Sequence, residues 1–353
     1  MGDTPAPIRF KDHTADGLHA RLAPLGVSPR LARRLQAAVL CTGAVPDAMP
    51  EVPRRLLDAV RRATVVPRLT LLEKAVSPRD DFAKYLFRGD GPQPFEAVRI
   101  PLLHRPGDEK YVVCVSSQVG CALACAFCAT GRLGFRRNLA PWEIVDQVVQ
   151  VQADSPHPVR GVVFMGMGEA FLNYDRALRA ARILSEPCGL AVAAKAITVS
   201  TAGVVPMIRR FTAERQPYRL IISLTSADPD RRRDLLPVEH TYPLPELMEA
   251  LRDYHRATGR RVTLAWTLLA GINTRPEDAR QLARLTAGLP VQVDLIDVND
   301  PTGRFRPPSA EELNRFRDAL RAELGMPVVR RYSSGQDVDG GCGMLAGRAI
   351  TAV

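Results

Sequence analysis

From about residue 111 to residue 324 the chain repeats one unit six times: a short apolar run of β-forming residues, then a longer run with apolar positions three to four apart. Expected strands lie at 111–117, 161–166, 196–201, 219–225, 261–269 and 291–298. Expected helices follow at 141–153, 174–185, 203–214, 243–257, 276–287 and 309–324. A period of two alternating with a period near 3.6 predicts an α/β domain with a parallel sheet. In parallel barrels the C-terminal ends of the strands carry the chemistry. The polar residues that end these strands are Gly168 and Glu169, Ser200, Ser223 with Leu224 and Thr225, Asn273, and Asn299.

The first expected strand runs into Cys121-Ala122-Leu123-Ala124-Cys125-Ala126-Phe127-Cys128. The C-x3-C-x2-C spacing brings three thiolates together, and none of the His residues at 13, 19, 104, 157, 240 and 255 is spaced to add a fourth ligand. Structural zinc takes four protein ligands. An iron–sulfur cubane held by three thiolates leaves one iron open for a small molecule. Phe127 would shield such a cluster or stack on a bound ring. The N-terminus, Met1 to Ala6, lacks the pattern of a signal peptide, and no run of about 18 apolar residues is present, so a cytoplasmic protein with no membrane association is expected. Thiols in that compartment bind metals or react more often than they form frameworks of disulfides. Cys342 lies among glycines in Gly335–Gly343, a loop suited to carry a thiol into a site. Cys114 lies on the strand leading to the triplet and could face the same cavity. Cys41 and Cys188 have no motif around them and read as structural.

Three regions are expected. Residues 1–66 form a small helical accessory domain, with helices near Leu18–Leu25, Arg30–Leu40 and Val52–Ala63. Residues 67–110 form a β extension whose hairpin pairs Phe82–Arg88 with Phe95–Leu103 around Gly89-Asp90-Gly91-Pro92. Residues 111–353 form the barrel and the Cys342 loop. Net charge is +10, which favours a polyanionic partner such as nucleic acid. Forty-three of the 48 basic residues are Arg, and Lys occurs only at 11, 74, 84, 110 and 195. Arg30, Arg33 and Arg34 on one expected helix would contact nucleic acid or form a solvated face.

The triplet, with an aromatic residue before its last Cys, resembles the signature of radical S-adenosylmethionine (SAM) enzymes. The stretches Cys114–Cys121, Gly166-Met167-Gly168-Glu169 and Asp337–Gly343 resemble the RlmN/Cfr group of RNA methyltransferases more closely, over roughly residues 80–350. The resemblance implies a partial (β/α)6 barrel. It implies that Cys121, Cys125 and Cys128 hold a [4Fe–4S] cluster, and that Gly168, Glu169, Ser200, Ser223, Leu224, Thr225 and Asn299 bind SAM, two molecules per turnover. It further implies that Cys342 carries the methyl group as S-methylcysteine, that Glu96 accepts a proton, and that Cys114 resolves the intermediate through a transient disulfide with Cys342. Adenine C2 or C8 in ribosomal (23S) or transfer RNA would be the target. A flavodoxin or ferredoxin would supply electrons to a monomeric enzyme.

Some positions depart from that pattern. Thr225 stands where His is common, Ala170 follows Glu169 where Pro is usual, Gly341 replaces Ala, Met344 stands near a usual Gln, and Asp297–Pro301 replaces a more aromatic run. These residues leave C2 and C8 both open. They also leave open a radical SAM reaction on a small molecule or peptide, and a cluster-bearing RNA-binding protein without catalysis.

Overall fold

The structure, a computed structural model, describes residues 6–103, 106–300, 302–331 and 335–345. Three helices open it: α1 (Ala15–Leu22), α2 (Pro29–Thr42) and α3 (Arg54–Ala63). Local chemistry sets their ends. Thr14 and Ser28 accept the backbone N–H groups of Gly17 and Leu31, and Pro29 sits in the first turn of α2, where no N–H is needed. Gly43 closes α2 in the left-handed region. Leu18, Leu22, Leu35, Val39, Leu57 and Val60 bury with Phe10 in a small core of their own.

A buried ion pair fastens this unit to the rest. Lys11 and Asp146 are both fully buried. Lys11 also donates to the Pro67 carbonyl at 2.8 Å. Asp146, on α4 (Pro141–Ala153), accepts from Leu69 N at 2.7 Å and from Gln150 Nε2 at 2.8 Å. Burial pushes the Lys11 ammonium below its usual range while Asp146 opposes the shift.

Ten strands form one sheet: β1 (Thr70–Val76), β2 (Ala83–Arg88), β3 (Phe95–Leu102), β4 (Lys110–Cys114), β5 (Val159–Phe164), β6 (Ile197–Thr201), β7 (Arg219–Ser223), β8 (Val262–Leu268), β9 (Val291–Asp297) and β10 (Val328–Arg331). Each strand lies beside its neighbour in sequence. Pairs from β1 to β4 are antiparallel, and pairs from β4 to β10 are parallel. Helices α5 (Tyr174–Ser185), α6 (Val205–Ala213), α7 (Pro229–Leu235), α8 (Leu244–Thr258), α9 (Pro276–Leu285) and α10 (Ala310–Leu324) fall between successive strands. The order is linear, so the sheet ends in two edges, β1 and β10, and forms an open barrel. Strand β8 buries Val262, Leu264, Trp266 and Leu268 on one face, where Trp266 meets Phe316 of α10, while Ala265 on the other face lines the barrel cavity.

The expected α/β alternation is present, with three additions. Strand β1 escapes a periodicity search because Leu71, Leu72 and Val76 are all exposed, so no buried face alternates along it. Helix α7 is short and dominated by charge, and β10 has only four residues. The first barrel strand also stops at Cys114 rather than 117. Among the described residues no helix is long and apolar enough to cross a membrane.

Lys11→Ala strands a buried carboxylate and is expected to cost about 3–5 kcal/mol in denaturant unfolding. Lys11→Met with Asp146→Leu is expected to recover most of that loss, because neither charge is then buried alone.

Candidate active site

The loop after β4 carries the triplet, and backbone contacts from several elements shape it. Cys121 N–H donates to Gly134 O at 3.1 Å, Ala126 N–H to Leu235 O at the end of α7 at 3.0 Å, and Ala129 N–H to Gly343 O at 2.7 Å. Gly120 has φ +70, and a Cβ there would lie 1.8 Å from Gly134 O, so only glycine permits this turn. The three thiols line one cavity together with Gly168, Glu169, Ser200, Ser223, Asn299 and Cys342. Burial is the main cause that pushes the Cys121 thiol up to about 12, and burial likewise raises Cys125. Each also feels its partner thiols, Cys128 included. Such thiols gain by giving their protons up to a metal.

Three adjacent sulfurs, an open cavity before them and no fourth ligand in the loop fit a cluster with one free iron. Among the described residues no three Cys, His, Asp or Glu side chains close around a single ion.

The loop after β5 supplies the second wall. Gly168 has φ +97, and a Cβ there would lie 2.5 Å from Gln118 Cβ. This turn presents Glu169, whose N–H donates to Gln118 Oε1 at 2.9 Å. The buried Glu169 carboxylate accepts Phe171 N–H and Ala202 N–H, both at 2.9 Å. Burial raises its pKa, and these donors oppose the rise. Ser200 and Ser223, at the ends of β6 and β7, face each other at 3.5 Å.

Not every expected rim residue reaches the cavity. Leu224 and Thr225 are fully buried and absent from its lining, and Thr225 takes a left-handed backbone at φ +60. Asn273 is also fully buried and absent from it. Its amide holds the Thr225 and Thr267 carbonyls at 2.8 and 2.7 Å and Leu269 N–H at 2.8 Å, which is a loop-bracing duty. Asn299 does line the cavity. It accepts Gln336 Nε2 at 3.0 Å and donates to the Cys342 carbonyl at 3.4 Å.

A second cavity lies on the other side of Cys342. Ile100, Leu102, Val112, Cys114, Val163 and Ile221 line it, with Gly340–Gly343. Met165, Ala265, Ile296, Cys342 and Gly343 belong to both cavities and form the partition between them. Burial raises the pKa of both Cys114 and Cys342; the nearby Cys342 raises Cys114 further, and Cys128 does the same to Cys342. Glu96, almost fully buried, lies outside both linings. It shares the strand face of Ile100 and Leu102, by the alternation of β3. Lys84 Nζ lies 3.3 Å from its Oε1.

Two residues of this neighbourhood escape a sequence reading. Lys84 is a single basic residue in a hairpin strand, and only the antiparallel register brings it to Glu96. Arg232, on α7, is wholly buried, pairs with Glu239, and donates to Ala202 O at 2.6 Å. It lies beside Cys125 and lowers that thiol's pKa against the effect of burial. Its neighbours Arg231 and Arg233 make it look like part of a solvated run. Cys188 is half-buried and donates to Gln36 Oε1 at 3.1 Å, while Cys41 is exposed.

Comparison with known proteins agrees with this arrangement. Residues 115–285 match the radical SAM superfamily. A probable RNA methyltransferase of Myxococcus xanthus is 50% identical over 96% of this chain and 94% of its own length. The dual-specificity RNA methyltransferase RlmN of Syntrophobacter fumaroxidans is 40% identical over 96% of this chain and 98% of its own. The chain belongs to the RlmN family. A crystal structure of a radical SAM methyltransferase from Sphaerobacter thermophilus, 39% identical, superposes with a TM-score of 0.87 over 96% of this chain and 99% of that one. Membership of this radical SAM family implies a [4Fe–4S] cluster and SAM as cofactors.

Replacing any one of Cys121, Cys125 or Cys128 with Ala is expected to lower iron and sulfide per chain after anaerobic reconstitution. Gly168→Ala is expected to keep the iron and weaken SAM binding about tenfold, through strain of order 1–3 kcal/mol in the turn. Equilibrium binding of SAM to the reconstituted variant measures this.

Proposed function

We propose that the protein methylates an sp2 carbon of adenine, C2 or C8, in ribosomal (23S) or transfer RNA, by way of a methyl group carried on Cys342. The observation that carries this reading is the position of Cys342 in the partition between two cavities. One cavity has the three thiols suited to a cluster and the polar groups suited to SAM. The other is apolar and has Cys114 on its wall. A thiol between them can receive a group on one side and deliver it on the other.

Cys121, Cys125 and Cys128 would hold the [4Fe–4S] cluster. Gly168, Glu169, Ser200, Ser223 and Asn299 would bind SAM. When bound and reduced, by a donor such as flavodoxin or ferredoxin, the cluster supplies the electron that cleaves SAM to methionine and a 5′-deoxyadenosyl radical. The chain's own residues do the rest. Adenine C2 and C8 are poor nucleophiles, so direct displacement on SAM fails. Cys342 thiolate instead takes the methyl group of a first SAM by displacement. A hydrogen atom of that methyl group would be lost to the radical that a second SAM supplies, and the carbon left on the Cys342 sulfur would then add to the ring. Glu96, held beside Lys84, accepts the proton that leaves the substituted carbon. Attack of the Cys114 thiolate on the Cys342 sulfur would break the carbon–sulfur bond and form a disulfide for later reduction; the freed carbon would take up a proton to become the methyl group, and the one unpaired electron left by the addition would pass to the oxidised cluster.

A target adenine must leave its stack, which single-stranded loops allow at least cost. Residues 1–66 act as an accessory domain, 67–110 as the extension that holds Glu96, and 111–353 as the catalytic barrel. The protein works as a cytoplasmic monomer.

Anaerobic reconstitution with SAM, a reductant and transcribed RNA tests the reading, with nucleosides resolved by mass spectrometry. Methylated adenine is expected. Formation of 5′-deoxyadenosine without methylated RNA would leave radical chemistry and remove the RNA substrate. Cys342→Ala is expected to abolish methylation, and Cys114→Ala to leave RNA joined covalently to Cys342, seen as a protein–RNA adduct on a denaturing gel.

A further inference from the structure

We propose that RNA reaches Cys342 through the N-terminal mouth of the barrel, and that Arg160, Lys195 and Arg219 grip its phosphates there. The proposal rests on the RNA reading above and assigns the side from which the substrate comes.

The partition around Cys342 limits the routes. The cavity on the C-terminal side of the strands is lined by the three triplet thiols and Glu169, so the cluster and SAM would fill it. A base that must touch Cys342 has to use the other cavity. That cavity is walled by Ile100, Val112, Val163 and Ile221, and the two carboxylates of its lining, Asp108 and Asp294, are each paired with a cation, Lys110 and Arg331. A flat, uncharged base suits apolar walls, whereas a phosphate does not.

The far end of the same cavity has the opposite character. Arg160 is the second residue of β5, Lys195 stands two positions before β6, and Arg219 is the first residue of β7. These three strands are neighbours in the sheet. Adjacent strands lie about 4.8 Å apart, and Arg219 pairs with Thr198, three residues beyond Lys195, so the three cations form a slanted row about 14 Å long. All three are exposed, and none has an ion-pair partner among the described residues. Two further cations of the rim differ: Lys110 pairs with Asp108 at 2.6 Å and Arg331 with Asp294 at 2.9 Å. Arg33 and Arg34 on α2 likewise pair, with Asp16 and Glu51. An unpaired cationic row at the open end of an apolar slot matches a nucleotide strand. Its phosphates stay at the rim while one base enters.

The test measures binding of an RNA hairpin to the reconstituted full-length protein by fluorescence anisotropy at several salt concentrations. It compares the wild type, the triple variant Arg160→Ala, Lys195→Ala, Arg219→Ala, and a conservative triple variant Arg160→Lys, Lys195→Arg, Arg219→Lys. Loss of three phosphate contacts is expected to flatten the slope of log affinity against log salt by about 2, and to weaken binding at least tenfold near physiological salt. The conservative variant is expected to bind like the wild type. Cys342 methylation by SAM, read by peptide mass spectrometry, is expected to be unchanged in both, which shows that the barrel is folded and that SAM binds. If the wild type binds RNA and the alanine variant binds with the same affinity and slope, the proposal is wrong and the RNA reading stands. If Cys342 methylation falls with RNA binding, the row acts on the barrel's structure and the proposal is again overturned. If the wild type binds no RNA, the underlying reading fails and the proposal with it.

Discussion

The loop that holds Cys342 is fixed from three directions, and the organisation of the site depends on that suspension. On the β extension, Asp80 accepts Gly335 N–H at 3.1 Å and Ser77 donates to Asp337 at 3.0 Å. On the barrel rim, Asn299 holds Gln336 and the Cys342 carbonyl. On the triplet loop, Ala129 N–H and Thr130 Oγ1 donate to the carbonyls of Gly343 and Leu345, at 2.7 and 3.0 Å. Glycine makes this close approach possible: a Cβ on Gly341 would lie 2.6 Å from Asn299 Nδ2, and one on Gly335 would lie 2.7 Å from the Phe82 ring. Any one of these anchors alone would leave the thiol free to leave the partition. Together they place it where both cavities end.

This arrangement couples regions that are distant in sequence. The β extension serves as a wall of the apolar cavity, an anchor for the Cys342 loop and the carrier of the Lys84–Glu96 pair. The triplet loop is in turn tied to α7 through Ala126 and to the Cys342 loop through Ala129. Arg232 extends the network beneath the cavity, since the Ala202 carbonyl it binds belongs to the residue whose N–H holds Glu169. Buried charge of this kind is stabilising only when its partners are all in place. The same condition applies to Lys11 and Asp146, which join the helical unit to α4.

Much of the fold was legible because periodicity is a local property. The amphipathic helices at 141–153 and 174–185 occur with the bounds read from their apolar spacing, and the barrel strands lie within a few residues of expectation. The triplet was legible for the same reason, as three thiols lie close together in the chain. Strand β1 and helix α7 were not, because one exposes its apolar residues and the other has few. Rim residues were only partly legible. Ser200, Ser223 and Asn299 reach the cavity, whereas Thr225 is buried away from it and Asn273 braces the loops by holding the Thr225 carbonyl. A Ser, Thr or Asn at a strand end has the same local signature in both roles.

The sequence by itself determined the order of strands and helices, the three thiols of the triplet and the glycines that permit tight turns, since each depends on residues near one another in the chain. Tertiary structure alone decided that Cys342 stands between two cavities, that Lys84 meets Glu96, that Arg232 is buried beside Cys125, and that three cations line one mouth. Those relations arise from strand register and loop docking over separations of ten to more than two hundred residues, and no local pattern encodes them.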